Sequence, residues 1–372
     1  MLTSRTSLRD DSEHRVYRAP RHRRSIRVAL LRNMDLVTLL SWRCCCRRNY
    51  FEVAEELRGY LRVLLADFVP SPSSLLSLIT RTKALISGIF AIRYLLRDDA
   101  LIVPCLDIYV GSVSFLSFID EFGGNSALSG YQQSWIIITH RDPYAYSRQI
   151  TQTLEIRLST GKMISIHASA TAFACHPIAR SPSSVGTTFI TEYCVATAYP
   201  RLTLNHRGII CLSALVESRG AELDMYETLE AHGFTFQEDP TNWPEFTSDV
   251  RGVEAVGCLR SVYLCPQQCR YFGDGGSMVA FFDQFSMALS DLKARQLPPY
   301  GIMSAWRLPS GVRCDDGCDE VDGILGPDLL TISVTFEDDL FSVRSPSAIV
   351  DPTIDDVRYN ILTQLRRRTI TM

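Results

Sequence analysis

No apolar run in these 372 residues approaches the ~20 needed to cross a bilayer, because Arg, Asp or Pro interrupts each one. The strongest stretches, 61–68 and 101–118, are too short or too polar, so no membrane partner is expected. Net charge is also lacking. Thirty-eight Lys and Arg against 41 Asp and Glu leave −3, which provides no overall field to draw nucleic acid or an anionic surface. Nucleic acid is therefore not an expected partner. No apolar signal stretch precedes the twelve cysteines, and their spacings are irregular. That pattern argues for reduced thiols in an intracellular protein, cytoplasmic or nuclear, rather than for a disulfide framework. There is no internal repeat. The seven histidines never fall into His-x-Glu or His-Glu-x-x-His spacing, and Gly161-Lys162-Met163 lacks the upstream glycine and the hydroxyl of a P-loop.

What is present is a chain with 46% hydrophobic and 21% charged residues, enough for one sizeable domain with extensions or for two domains. Charge is uneven along it. Residues 1–32 hold nine Arg against Asp10, Asp11 and Glu13, and with Pro20 they read as a disordered basic tail over 1–33. Such a tail could meet nucleic acid, phospholipid or an import receptor, and its composition has something of a mitochondrial leader. A solvated arm accounts for it more simply, and the early acids oppose the leader. Two Cys-x-x-x-Cys pairs, Cys265/Cys269 and Cys314/Cys318, have one residue too many for the usual zinc knuckle and read as separate thiols.

Periodicity supplies the elements. Phe51, Ala54, Leu57, Leu61, Leu64, Leu65 and Phe68 recur at threes and fours, as on one face of a helix, and Pro70 with Pro72 ends the run. Ser73 and Ser74 are candidate caps for a second helix through Leu75 and Ile79. A short strand at 84–87, a helix at 90–97, a strand at 106–110 and a glycine-stopped helix at 115–122 follow. Leu154, Ile156 and Leu158 alternate with polar residues, Thr160-Gly161 turns, and Ile164, Ile166 and Ala168 resume, which predicts a hairpin. Residues 207–217 and 221–232 read as helices. Beyond about 290 the pattern fades, so 291–372 is expected to be an irregular extension.

The chemistry-bearing pattern is Leu85-Ile86-Ser87-Gly88, then a helix, then Cys105-Leu106-Asp107-Ile108-Tyr109. Side chains two apart on a strand share a face, so a carboxylate pair at 105 and 107 could grip a divalent cation. Only Asp107 is acidic, and a thiol is a poor ligand for hard Mg2+. On the predicted hairpin the single replacement is Glu155. Ile89 after the Ser87-Gly88 turn would hinder close approach of a phosphate.

This order of turn, helix and acidic strand resembles the nucleotidyltransferase (polymerase beta-like) fold, in which such a turn holds phosphates and an Asp-x-Asp strand holds metal. More specifically, the chain from Tyr50 to Phe282 is similar to a group of uncharacterised proteins of mushroom-type basidiomycete fungi. The residues that carry this likeness are Thr82-Lys83-Ala84-Leu85-Ile86-Ser87-Gly88-Ile89-Phe90-Ala91-Ile92, Cys105-Leu106-Asp107-Ile108-Tyr109-Val110, Phe189 to Val195, Tyr199-Pro200-Arg201-Leu202-Thr203, Cys265-Pro266, Arg270 and Gly273-Asp274. The likeness implies a nucleotidyltransferase-like core. Met34 to Leu57 also resembles the second half of an F-box, an adaptor-binding helical segment, without its opening Leu-Pro-x-Glu. Arg201 could position a phosphate and Tyr193 stack on a base, but core packing for the aromatics and solvent for the Arg is the simpler reading.

The resulting expectation is an α/β (α+β) protein whose nucleotidyltransferase-like mixed sheet is flanked by helices and covered by a helical N-terminal cap. Its divisions are a tail at 1–33, an F-box-like remnant at 34–69, the core at 70–290 and the extension at 291–372. The leading functional expectation is a catalytically degenerate protein, a pseudoenzyme acting by binding or as a scaffold, with no catalytic residue and no cofactor. Its vestigial nucleotide-binding positions are Ser87, Gly88, Asp107 and Glu155. The alternatives are a Mg2+-dependent nucleotidyltransferase using Asp107 and Glu155, and an F-box-like adaptor recruiting a protein partner through 34–69.

Overall fold

The computed structural model describes residues 21–125, 130–139, 149–211, 221–243, 270–272 and 274–282, strand segments at 302–308, 331–337 and 340–344, and a few positions between. Four helices lead: α1 (Arg21–Arg32), α2 (Leu36–Arg43), α3 (Arg47–Leu65) and α4 (Pro72–Thr82). Asp35 caps α2 by accepting from the Thr38 amide at 2.7 Å, which satisfies one of the unpaired donors of the first turn. Helix α3 buries Ala54, Leu57, Leu61, Leu64 and Leu65 of the stripe that the spacing predicted, with Val53 added, while Phe51 at its start is exposed. The cap of α4 is Ser71, one turn ahead of the expected Ser73 and Ser74, with Pro72 pre-set for the first helical position.

Helix α1 lies inside the stretch expected as a tail. Its C-terminal end is tied down by Arg97, whose guanidinium donates to the carbonyls of Leu31 and Arg32 at 3.2 Å and pairs with Glu56 at 2.8 Å. This long-range anchor cannot be read from the local charge run. The remainder of the expected tail, 1–20, lies outside the described residues.

The core alternates strands and helices in the order β1 (Leu85–Ser87), α5 (Gly88–Leu96), β2 (Cys105–Val110), α6 (Phe115–Gly124), β3 (Gln132–Thr139), β4 (Ile150–Leu158) and β5 (Met163–Ser169). Next come α7 (Cys175–Ala179), β6 (Thr188–Ile190), β7 (Cys194–Thr197) and α8 (Pro200–Thr203). After these stand β8 (Arg207–Ile209), α9 (Ala221–Ala231), β9 (Thr235–Gln237), β10 (Arg270–Tyr271) and β11 (Met278–Phe281). An eight-stranded sheet runs β11-β7-β6-β1-β2-β5-β4-β3. Every pairing in it is antiparallel except β2 with β5, so the sheet is mixed, as expected, and mostly antiparallel. The 153–168 hairpin is β4 and β5, turning through Gly161 at φ +82°.

The two faces of the sheet differ. Leu106, Ile108, Ile156, Ile164 and Ile166 point into a core shared with α3, α4, α5 and α6. On the opposite face, the β1, β6 and β7 end is covered by a second core of Leu85, Phe189, Ala196, Tyr199, Phe272 and Trp306. The β2, β5 and β4 end of that face carries polar side chains instead.

Two expectations are corrected. Residues 207–209 are not helical but form β8, which pairs in parallel with β9, because Gly208 lets the Phe236 ring and Val185 close over the backbone. Residues 212–220 lie outside the described set. The extension at 291–372 is not irregular throughout. Strands β12 (Ile302–Trp306), β13 (Thr331–Glu337) and β14 (Leu340–Arg344) join β10 in a second, antiparallel sheet, anchored where Trp306 packs 4.6 Å from the Phe272 ring. Alternation in Thr331–Glu337 is visible in the sequence; β14 follows it directly as a hairpin, whereas its other partner, β12, lies further back in the chain.

Candidate functional site

The Ser87-Gly88 turn begins α5 with Gly88 at φ +70°, a left-handed conformation that side chains other than glycine's resist. A second constraint is steric. A Cβ on Gly88 would collide with Oδ2 of Asp107, so the missing side chain is the space the carboxylate occupies. Ser87 stands opposite Asp107 in the β1–β2 register. Its hydroxyl is buried and donates to the Thr188 carbonyl on β6 at 2.6 Å, facing the neighbouring strand instead of a phosphate. Ile89 is buried in the helix-side core, so its bulk lies beneath the turn and not over it.

Asp107 is the centre of the polar cluster. Its Oδ1 lies 3.4 Å from His167 Nε2 on β5, a long contact, and accepts from the Cys105 thiol at 3.4 Å. The thiol also reaches the Ser165 hydroxyl at 3.2 Å. Burial, reinforced by the charge on Asp107, pushes the Cys105 thiol well above its ordinary range. It is therefore held as a protonated donor, and neither an activated nucleophile nor a thiolate ligand. His167 Nδ1 meets the Thr153 hydroxyl at 3.0 Å. The tautomer that satisfies both contacts puts the imidazole proton on Nε2 towards Asp107 and lets Thr153 donate to Nδ1. The Tyr109 ring lies 4.8 Å from the imidazole at 31°, closing one side of the cluster. The site is partly open: the Asp107 side chain keeps 26% of its exposure and that of His167 keeps 15%.

Glu155 shares this face. Asp107 pairs with Ser165, and Ser165 with Glu155, so the two carboxylates stand in one row with a strand between them. Their Cα atoms are separated by roughly 10 Å, twice the inter-strand spacing. The position of β5 nearest to Asp107 offers a hydroxyl and an imidazole rather than a second acid. The donor set of one carboxylate, one protonated thiol and one imidazole does not fit hard Mg2+, which takes carboxylate, phosphate and water oxygens. Among the described residues no group of three or more His, Cys, Asp and Glu side chains is arranged to hold a metal ion. Cys265 is buried, whereas Cys269, Cys314 and Cys318 lie outside the described residues.

The sequence placed Ser87, Gly88, Asp107 and Glu155 on adjoining elements. The strand period also puts Tyr109 on the face of Asp107, but the sequence missed His167, Ser165 and Thr153. His167 reads from sequence as a solvated residue on the polar face of the hairpin; the parallel β2–β5 register, which sets Tyr109 against His167, brings it to Asp107. In the Tyr199-Pro200-Arg201 element the packing reading holds for Tyr199 and the solvent reading for Arg201, while Tyr193 is half-buried. Tyr199 is buried with its ring 4.4 Å from the Arg270 guanidinium, burial pushes its hydroxyl up to about 12, and Arg201 faces solvent.

No protein-family model, curated protein or solved structure matches this chain.

Proposed function

We propose that the chain is a nucleotidyltransferase-like fold that acts inside the cell, in cytoplasm or nucleus, by binding rather than by chemistry. The contact that supports this most directly is Asp107 with His167: the acid that would hold metal in an active relative is partnered by an imidazole and a neutral thiol. The turn beside it keeps its glycine conformation but has its serine hydroxyl bonded to β6. A ligand entering the open face would meet the Asp107 carboxylate, the imidazole edge and the Tyr109 ring. The helices at 34–69 serve as a cap on the core, because their apolar stripe is buried there and Arg43 donates to the Phe281 carbonyl. That supports the cap over the F-box-like adaptor, whose groove-binding surface would need the same stripe.

Thermal-shift measurements on the full chain with Mg2+ and each nucleoside triphosphate test the proposal. Stabilisation by a nucleotide that disappears in Asp107→Ala supports a retained binding site. The absence of any shift removes nucleotides as ligands. Joining of nucleotides to an acceptor in Mg2+, abolished by Asp107→Ala or Glu155→Gln, would establish the catalytic alternative.

A further inference from the structure

Between α2 and α3 the chain reads Trp42-Arg43-Cys44-Cys45-Cys46-Arg47-Arg48, and all three cysteines are exposed free thiols. The other described cysteines are half-buried or buried. The three sulfurs do not converge. Those of Cys44 and Cys45 lie back along α2, 3.3 Å from the Leu40 carbonyl and 3.6 Å from the Ser41 carbonyl. That of Cys46 turns the other way and caps α3, accepting from the Asn49 amide at 3.5 Å. Cys46 caps α3 through its sulfur, whereas Cys44 is the C-cap of α2 through its backbone amide, which leaves its side chain and that of Cys45 exposed.

The surroundings of these thiols are apolar and cationic together. Val37 (50% exposed), Trp42 (37%) and Phe51 (43%) are large hydrophobic side chains left in solvent. Val37, Ser41 and Cys45 follow one another at intervals of four along the same side of the helix and the turn after it. The Arg47 guanidinium lies 5.8 Å over the Phe51 ring. Residues 1–48 hold twelve Arg and no Lys against Asp10, Asp11, Glu13 and Asp35; of those at the corner, Arg47 and Arg48 are exposed, Arg48 pairing with Glu52 at 2.7 Å, and Arg43 is buried. Exposed aromatics, the exposed Arg47 and Arg48 and adjacent thiols on a helix corner match what the interface of an anionic bilayer accepts.

We propose that Cys44 and Cys45 are S-acylation sites, and that their acyl chains seat the α2–α3 corner on an anionic membrane surface. The thiolate of either cysteine attacks the carbonyl carbon of a long-chain acyl thioester. A new sulfur–carbon bond forms, the donor's thiolate departs and takes up the proton the cysteine lost, and no electron is transferred to an outside acceptor. Two chains give durable attachment where one gives only marginal binding. Attachment is reversible by thioester hydrolysis, and no helix among the described residues is long and apolar enough to cross a membrane.

The test uses the full chain incubated with eukaryotic microsomes and alkyne-tagged palmitoyl-coenzyme A, followed by site mapping and by flotation with phosphatidylserine-containing or pure phosphatidylcholine vesicles. The expected result is hydroxylamine-sensitive label on Cys44 and Cys45, a fall of about tenfold or more in Cys44→Ser/Cys45→Ser, and flotation of the acylated protein that prefers the anionic vesicles. Cys46→Ser keeps the label. Circular dichroism of the double variant, unchanged because both thiols are exposed, separates loss of the site from loss of the fold. Label absent, label spread over the other cysteines, or acylated protein that stays with the soluble fraction overturns the proposal.

Discussion

Asp107 and His167 are two positions out of register on adjacent parallel strands, yet Oδ1 of one and Nε2 of the other come within 3.4 Å. The diagonal arises because His167 leans back along β5 while Thr153 on β4 holds its other ring nitrogen. It brings an acid, a base and an aromatic ring together on an open sheet face, over a turn whose glycine leaves room for the acid.

Gly88→Ala is expected to destabilise the protein by about 2–3 kcal/mol, since the left-handed φ alone costs about 1–2 kcal/mol and the new Cβ must displace Asp107. Urea denaturation checks this. The Asp107→Ala background should recover part of the loss, because Oδ2 is the atom in the way. Equal losses in both backgrounds would show that backbone strain alone matters.

Cys105→Asp creates a carboxylate pair on one strand face. In metal-free buffer the two like charges are expected to cost about 1 kcal/mol, seen as a lowered melting temperature. Addition of Mg2+ should reverse the loss in this variant and leave the parent chain unmoved. A variant blind to Mg2+ would count against the degenerate-site reading.

Arg270 is fully buried, pairs with Asp274 at 2.6 and 3.1 Å, and donates to the carbonyls of Ala198 at 2.6 Å and Tyr263 at 2.7 Å. Removing one member leaves the other charged and uncompensated in the core, so Asp274→Ala is expected to cost about 3–5 kcal/mol. Arg270→Met/Asp274→Leu should lose less than the two single changes added together, and calorimetry of the four proteins measures the coupling. Additive losses would mean that the pair is not a unit.

Burial, with Arg180 as a lesser contributor, lowers His176 from 6.5 to about 3. A folded-state value below the unfolded one means that the unfolded chain binds more protons in between. Stability is therefore full above about pH 6.5 and is lost as pH falls towards 3, by a few kcal/mol in all, about 3–5. Denaturation midpoints at pH 7, 6, 5 and 4 should fall more steeply for the parent than for His176→Gln. Parallel slopes would remove His176 as the cause.

The helix stripe of α3, the hairpin of β4 and β5 and the inward alternation of Leu106, Ile108 and Val110 were legible because each depends on neighbours a few residues away. The site was half legible for the same reason. Gly88 and Asp107 declare themselves through a turn and a strand pattern. The role of Ser87 did not, because its hydroxyl bonds to Thr188, 101 residues further on. The β13–β14 hairpin is local and its alternation stands in the sequence, whereas the pairing of β12 with β10 and β13 joins separated segments, and β8 has three residues, too few to show any period.

By itself the sequence determined which residues face inward on the hairpin of β4 and β5 and along most of α3, and that position 105 offers sulfur where a second acid would be needed. Only the tertiary structure decided that β2 runs parallel to β5 in the register that sets Tyr109 beside His167, and so what Asp107 touches. A period of two assigns a side chain to one face of a strand; which strand lies alongside, and how far it is slid, is set by packing between segments far apart in the chain.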